Sequence, residues 1–413
     1  MDEVLVTVWC TTYNHAPYVR DALEGFLSQK TNFRYEVVIH DDASTDGTEE
    51  ILREYEEKYP DIFRVFYEEE NQYSQGKHRQ VVESIVRNEF RGKYVAICEG
   101  DDFWIDSHKL QIQAGYLENH PECVLVANNS LRVNNITHKI ETLNEYGEDK
   151  DITPGEVIEF RQACFRFSSV MVRKEMLYYA NSFPNCNLGD WPLYLYAITK
   201  GKIHYFERIM SVCNWLQEGS RSLRIQDDLE HLEAFLEVIH FLQMANEYTC
   251  HKYEKEIQRR IYAFCIIEWG AIAKINQVDI SEYLHDLSRR RKDKYSSCID
   301  YVEELNTRFN REIHEFCVKY KHIVIMGAGE FASHMCSIFI KEDIDFEGFA
   351  ISNNQHTNGT YQGKKVWKLA ELPFELSSLG VVIGIDQQSV REEILKSLDE
   401  NGIKNFCWPL LIR

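Results

Sequence analysis

Apolar residues in the first hundred positions come in short runs, separated by polar turns rich in Asp, Ser, Thr and Gly. Val4 to Cys10 predicts a strand that runs into Thr11-Thr12-Tyr13-Asn14-His15-Ala16-Pro17-Tyr18. Val19, Ala22, Leu23, Phe26 and Leu27 then fall on one face of a helix. Tyr35 to His40 predicts a second strand, ending at Asp41-Asp42-Ala43-Ser44-Thr45-Asp46-Gly47-Thr48. A helix from Glu49 to Tyr59 follows, with Pro60 just beyond it, and Phe63 to Tyr67 is a third short strand. Strand and helix alternate, which predicts a parallel sheet with helices on its faces and a ligand beyond the carboxyl ends of the strands.

Near residue 100 the chain reads Tyr94-Val95-Ala96-Ile97-Cys98-Glu99-Gly100-Asp101-Asp102. The apolar run predicts a buried strand, and three acids gather at its end beside a glycine that permits a tight turn. Taken alone this could be a solvated acidic turn. Clustered carboxylates repel one another, however, and oxygen ligands at a strand end suit Mg²⁺ or Mn²⁺. The turn after strand one, the acids after strand two and this cluster all fall on the same rim, which favours the cation.

Length and charge narrow the picture. At 413 residues the chain is too long for one ordinary core, and 44% hydrophobic with 27% charged residues is ordinary for a soluble protein. A formal charge of −20 repels nucleic acid and anionic membrane surfaces at long range. Met1-Asp2-Glu3 does not resemble a signal peptide, and no apolar run is long enough to span a bilayer. The 12 cysteines lack CxxC spacing, which predicts reduced thiols and a cytoplasmic protein, open to peripheral attachment at the inner membrane face.

Val6 to Asn14, Asp41 to Thr48 and Glu99-Gly100-Asp101-Asp102 together resemble a family 2 glycosyltransferase with the A-type glycosyltransferase fold, an α/β nucleotide-diphospho-sugar transferase architecture. The resemblance covers residues 4 to 220. It implies that Thr11, Tyr13 and Asn14 line the nucleoside pocket and that Asp41 accepts a hydrogen bond from the base. A carboxylate can pair with the imide N–H of uracil or thymine, or the ring N–H of guanine, but finds no such donor on neutral cytosine. The resemblance also implies that Asp101 is the metal ligand, with Asp102 and Glu99 supporting metal or sugar; Glu99 stands where that motif usually begins with Asp. Within Glu70 to Arg79, Arg79 is the candidate to meet the base or diphosphate, because its fork can bridge groups. The plainer alternative is a basic first turn of the helix through Val81, Val82, Ile85 and Val86.

Downstream, Lys109 to Leu117 predicts a helix, Val124 to Ala127 a strand, Asn128 to Ile158 a loop-rich excursion, Phe167 to Arg173 a strand and Lys174 to Ala180 a helix. Pro192 and the apolar Leu193, Tyr196 and Ala197 mark another helix start, which makes Asp190 an N-cap or its neighbour. The resemblance gives that acid a second role, the general base, although Gly189 replaces the usual Glu before it. In Ile209 to Ser222 the family's Tyr-Arg-x-His motif lacks its histidine, with Leu216 or its neighbours in that place.

Residues 223 to 318 carry helix-period patterns, and Ile261 to Ile275 is apolar on more than one side, as a central bundle helix would be. Arg289-Arg290-Arg291-Lys292 reads as a solvated connector. His322 to Met326 predicts a strand entering Gly327-Ala328-Gly329-Glu330-Phe331-Ala332, a turn that lets backbone approach phosphate at a helix N-terminus. Gly327, Gly329 and Glu330 are therefore a candidate second nucleotide site. Ser352, Asn353 and Asn354 stand where an NAD site would place an acid, which disfavours a dehydrogenase. Residues 321 to 408 resemble the small Rossmann-like domain at the N-terminus of sugar acyltransferases.

The expected organisation is a catalytic domain over 1–222, a helical region over 223–318 and a Rossmann-like domain over 319–413, either of the last two able to mediate homo-oligomer contacts. The expected function is inverting, Mn²⁺- or Mg²⁺-dependent transfer of a sugar, from a UDP-sugar by preference, to a hydroxyl of a surface polysaccharide or lipid-linked acceptor. The alternative is a nucleotide-sugar-binding or scaffold protein with little turnover. Donor sugar, acceptor and linkage are not encoded legibly.

Overall fold

In the computed structural model the chain divides into two compact units, residues 1–231 and 232–413. The structure describes residues 3–144, 146–159, 165–183, 186, 188–217, 228–264, 289, 296–352, 359–385 and 391–408.

The first unit begins with β1 (Val4–Thr12), α1 (Val19–Leu27), β2 (Arg34–Asp41), α2 (Thr48–Lys58), β3 (Phe63–Tyr67), α3 (His78–Asn88) and β4 (Tyr94–Glu99). The four strands are parallel in the order β3-β2-β1-β4. Thr12 pairs with Asp41 and Thr11 with Glu99, so the loops after β1, β2 and β4 emerge at one level. The core forces this register: Val6, Val8 and Cys10 of β1, Val37 and Ile39 of β2 and Ala96 and Cys98 of β4 are buried in one cluster with Ala22, Leu23 and Phe26 of α1. Removing each large apolar side chain from water contributes about 1.5–3 kcal/mol, and a one-residue slip would turn these sets away from the helices.

The sheet continues through β5 (Phe103–Trp104), α4 (Lys109–Asn119), β6 (Cys123–Asn134), β7 (Ile140–Thr142), β8 (Lys150–Ile152), α5 (Pro154–Glu159), β9 (Met171–Arg173), α6 (Asp190–Lys200) and β10 (Lys202–Trp215). Beyond β4 the order is β9-β6-β10-β5, with β9 antiparallel to both β4 and β6. Three expectations are corrected here. The excursion after Ala127 is partly sheet, because β6 runs on to Asn134 and β7 and β8 pair with β6 and β10. Asn128, Asn129 and Ser130 look like loop residues but are buried with partners: Asn128 Nδ2 donates to Ser211 Oγ (3.0 Å), Ser130 Oγ lies 2.8 Å from Ser211 Oγ, and Asn129 Nδ2 donates to the Asn144 carbonyl (2.8 Å). Phe167 to Arg173 is not one strand. Phe167–Ser169 forms a 3₁₀ turn whose carbonyls at Ser168 and Ser169 accept from Trp104 Nε1 (2.8 Å) and Gln113 Nε2 (2.9 Å), which leaves only Met171–Arg173 for the ladder. The expected helix from Lys174 is likewise a 3₁₀ segment, Lys174–Ser182.

The second unit contains α7 (Asp228–Tyr248, beginning at the boundary), α8 (Glu254–Phe264) and α9 (Ser296–Cys317), followed by β11 (His322–Met326), α10 (Glu330–Lys341), β12 (Gly348–Ile351), β13 (Thr360–Tyr361), β14 (Lys364–Lys368), β15 (Leu379–Ile383), α11 (Arg391–Glu400) and β16 (Phe406–Cys407). Its sheet has the order β13-β14-β12-β11-β15-β16, parallel except at β13. Gly327 has φ +116°, and a Cβ there would come 2.7 Å from the Gly384 carbonyl, so the turn after β11 requires glycine. The apolar continuation to Ile275, the connector at 290–292, residues 218–222 and Asn353-Asn354 lie outside the described residues. Among the described residues no helix is long and apolar enough to cross a membrane.

The loop before β4 is tucked against β1. Gly92 N donates to Thr7 Oγ1 (2.9 Å), and a Cβ at Gly92 would collide with Thr7 N and come 2.7 Å from Val6 C. Gly92→Ala should therefore destabilise the first unit by about 1–3 kcal/mol, read as a lower urea midpoint.

Candidate functional site

Two loops at the rim are latched to each other. Thr12 Oγ1 donates to Asp41 Oδ1 (2.8 Å); Ser44 donates to the same carboxylate through its Oγ (2.6 Å to Oδ1) and its N (3.0 Å to Oδ2). Asn14, with φ +54°, gives its N–H to Ser44 Oγ (2.9 Å) and takes the Thr45 N–H on Oδ1 (2.8 Å). His15 N reaches Thr48 Oγ1 (2.8 Å) and Ala16 N reaches Asp46 Oδ2 (3.0 Å). Asp46 Oδ1 also accepts from Thr48 N (3.1 Å) at the start of α2. Three of the roughly four acceptor directions of Asp41 are used, which leaves about one for a ligand. Asp42 faces elsewhere. Its carboxylate takes the backbone N–H groups of Gln72 (2.7 Å) and Tyr73 (3.0 Å), which holds the 70–79 loop beside the same rim. Tyr13 and Tyr73 are both exposed there.

At the end of β4 the three acids diverge. Gly100 N donates to the Thr11 carbonyl (2.9 Å), and a Cβ at Gly100 would collide with Thr12 Cγ2, so the turn fits only without a side chain. Asp102 is buried, and its Oδ1 accepts from Asn214 N (2.9 Å). Burial, then the charge of Asp101, pushes its carboxyl up to about 7. Asp101 is partly exposed; its carbonyl accepts from Asn214 Nδ2 (2.6 Å), its Oδ2 accepts from Gln217 Nε2, and His15 Nε2 lies 3.9 Å from that oxygen. Glu99 is exposed at the end of β4; desolvation, followed by the charges of Asp101, Asp102 and Asp190, raises its carboxyl well above the usual range. The acids repel one another, and the charge of Arg166 offsets that repulsion in part. Among the described residues no three His, Cys, Asp or Glu converge closely enough to hold an ion by themselves, so a cation on Asp101 needs further oxygens from a ligand. Burial and the nearby acids raise the thiols of Cys10 and Cys98 far above their ordinary range, which makes them inert core groups.

Asp190 opens α6, with its Oδ1 accepting from Trp191 N (2.7 Å), and it is half-buried. Its charge is felt at Glu99, so the fold brings it to the acid cluster from a distant part of the chain. Arg79 Nη1 donates to the carbonyls of Phe183 (3.0 Å) and Cys186 (3.3 Å), tying α3 to the segment that leads into Asp190. Thr11, Asn14, Asp41, Glu99, Asp101 and Asp102 therefore share one rim. Gly327, Gly329 and Glu330 lie in the other unit, where Gly329 N-caps α10 and its carbonyl accepts from Tyr361 OH (2.9 Å). Thr12, Ser44, Asp46, Asn214 and Gln217 were not singled out by the sequence. The first three sit inside the quoted motifs and could have been found; Asn214 and Gln217 come from the far end of β10, and only the sheet order places them at the acids.

A parallel β3-β2-β1-β4 sheet, with acidic turns after β2 and β4 and an acid at the head of α6, is the layout of an A-type glycosyltransferase fold. Residues 7–177, within the first unit, match the model of glycosyl transferase family 2. An uncharacterised protein of Mycobacterium tuberculosis is 44% identical over 111 residues, 27% of this chain and 31% of that protein. The Bacillus subtilis protein TuaG, whose name describes a teichuronic acid biosynthesis glycosyltransferase, is 34% identical over 113 residues, 27% of this chain and 42% of its own length. The chain thus spans well under half of these curated relatives. The structure of S. aureus TarS 1–349 in complex with UDP-GlcNAc aligns over 75% of this chain and 92% of that one, with 17% identity and a TM-score of 0.44.

A carboxyl raised in the folded state stabilises at low pH and loses that contribution as pH climbs from its unfolded value, 3.8 for Asp102, through about 7. In chelator, Asp102→Asn should melt higher than wild type near pH 8, by about 2–4 °C per kcal/mol, and the gap should close towards pH 4.

Proposed function

We propose that the first unit transfers a sugar from a nucleoside diphosphate, a UDP-sugar by preference, to a hydroxyl of a surface polysaccharide or lipid-linked precursor, with inversion at the anomeric carbon. The observation that supports this reading is that the charge of Asp190, at the head of α6, acts on Glu99 at the end of β4. A sugar hydroxyl attacks poorly until its proton is removed, and a carboxylate at a helix N-terminus stays ionised to accept it. Asp190 takes that proton as the hydroxyl oxygen bonds to the anomeric carbon; the bond from that carbon to the diphosphate oxygen breaks on the opposite face, and the diphosphate leaves with the electron pair. One displacement inverts the configuration.

On the donor side, Asp41 accepts the base N–H in its remaining direction, while Thr11, Tyr13 and Asn14 line the nucleoside. The mutual repulsion of Glu99, Asp101 and Asp102 fits a divalent cation, with Asp101 as its protein carboxylate. Such an ion, Mn²⁺ or Mg²⁺, offsets the charge on the leaving diphosphate. Arg79 serves this site by fixing the segment before Asp190. The polysaccharide class of acceptor is supported by the printed name of TuaG. For the C-terminal sheet, the glycine turn at Gly327 and Gly329 keeps a nucleotide-binding or docking role as the proposal.

A second reading, a nucleotide-sugar-binding protein without turnover, is favoured by the missing histidine in the described part of the 209–222 segment. Asp190→Asn separates the two. Transfer should fall by about 10²–10⁴-fold while the dissociation constant for UDP stays within twofold by calorimetry. An Asn variant that turns over normally would remove Asp190 from the base role, and a wild type that binds UDP but releases none from a panel of UDP-sugars and acceptors would favour the binding protein.

A further inference from the structure

The carboxylate that would hold the cation is touched by one neutral side chain whose other end has no partner. Gln217 is 4% exposed, its Nε2 donates to Asp101 Oδ2, and its Oε1 is buried with no hydrogen-bond donor among the described residues. An oxygen left unpaired in that way is unfavourable, so a partner for it stabilises the site. The backbone that delivers it is also unusual: Leu216, a bulky residue at 8% exposure, has φ +60° and turns the chain inward just after β10. Asn214 clamps the same turn to the acid loop through Asp102 Oδ1 and the Asp101 carbonyl. The amide is therefore fixed in place, and rotation about its last bond is the freedom it retains.

The two ends of an amide are nearly the same shape and opposite in hydrogen-bonding character. Beside a bare carboxylate the N–H end fits. Beside a carboxylate that shares its charge with a cation, the oxygen end fits. We infer that Gln217 is a cation ligand whose amide turns over when the ion binds, so that Oε1 leaves its unpaired burial and joins Asp101 Oδ2 on the metal. This rests on the metal-dependent reading of Asp101. His15 is not placed for the same task. A ligating imidazole keeps its other ring nitrogen on an acceptor, whereas His15 Nδ1 is buried without a partner, and a Cβ at Gly100 would approach it to 3.1 Å. The protein's share of the coordination is then all oxygen, a hard set that accepts Mg²⁺ and Mn²⁺ with little discrimination.

The test is Mn²⁺ and Mg²⁺ binding to the full chain with UDP, by calorimetry and by the electron paramagnetic resonance signal of free Mn²⁺. Gln217→Leu keeps the side-chain volume and removes the oxygen; it should weaken Mn²⁺ by about tenfold or more while UDP binding in chelator is unchanged. Gln217→His should restore Mn²⁺ binding and raise the preference for Mn²⁺ over Mg²⁺ by about tenfold, because imidazole nitrogen suits Mn²⁺ better than Mg²⁺. A Leu variant that binds Mn²⁺ like wild type, when Asp101→Asn does not, would overturn the inference and leave Gln217 as a donor that merely orients Asp101. A His variant that binds both ions in the wild-type ratio would overturn it as well. No Mn²⁺ binding by wild type would overturn the metal reading of Asp101 and this inference with it.

Discussion

Carboxylates held close together at the end of a buried strand repel one another, and the first unit is built to tolerate that repulsion. The apolar run of β4 fixes where Glu99 begins, and the glycine turn pressed against β1 fixes where Asp101 and Asp102 can go. Asn214 then divides their duties by taking Asp102 inward and leaving the Asp101 side chain at the cleft. Hydrophobic burial in the surrounding sheet supplies the stability against which this repulsion is maintained. Repulsion among these carboxylates is what the proposed cation would relieve, which links the electrostatics of the cleft to the chemistry proposed for it.

The donor end follows a different rule. There the polar groups satisfy one another in advance: Thr12 and Ser44 on Asp41, Asn14 with Ser44 and Thr45, and Asp46 with Ala16 and Thr48. Loops held by this many reciprocal bonds lose little freedom when a ligand arrives, so less of the binding energy goes into ordering them. Asp42, next to Asp41, spends its carboxylate on the 70–79 loop.

Much of this was legible in the sequence because the informative parts are local. β1 to β4 are largely apolar runs, their ends carry short-range motifs, and Asp190 stands two positions before a proline that marks a helix start. The rest depends on partners far away in the chain. Asn128, Asn129 and Ser130 read as loop because nothing nearby reveals that Ser211 and Asn144 satisfy them in the sheet. Phe167 to Arg173 has strand composition, yet Trp104 and Gln113 draw off its first carbonyls. Arg79 donates to two carbonyls more than a hundred residues downstream, partners that no local pattern reveals. Gln217 stands beside Leu216, in the stretch that lacks the family's histidine, but its contact with Asp101 shows only in the fold.

The path of α6 into β10 has an evolutionary consequence. One uninterrupted run carries Asp190 at its start and Asn214 and Gln217 at its finish, whereas Thr11 to Asp102 all precede it. The family 2 match stops at residue 177, before that run begins. On the proposed roles, the residues assigned to the donor base and the acid assigned to the acceptor hydroxyl are separable along the polypeptide. A lineage could exchange the later stretch by recombination, keep its nucleotide pocket, and test a new acceptor in one step, provided the incoming stretch still closed its far end over the acids of β4.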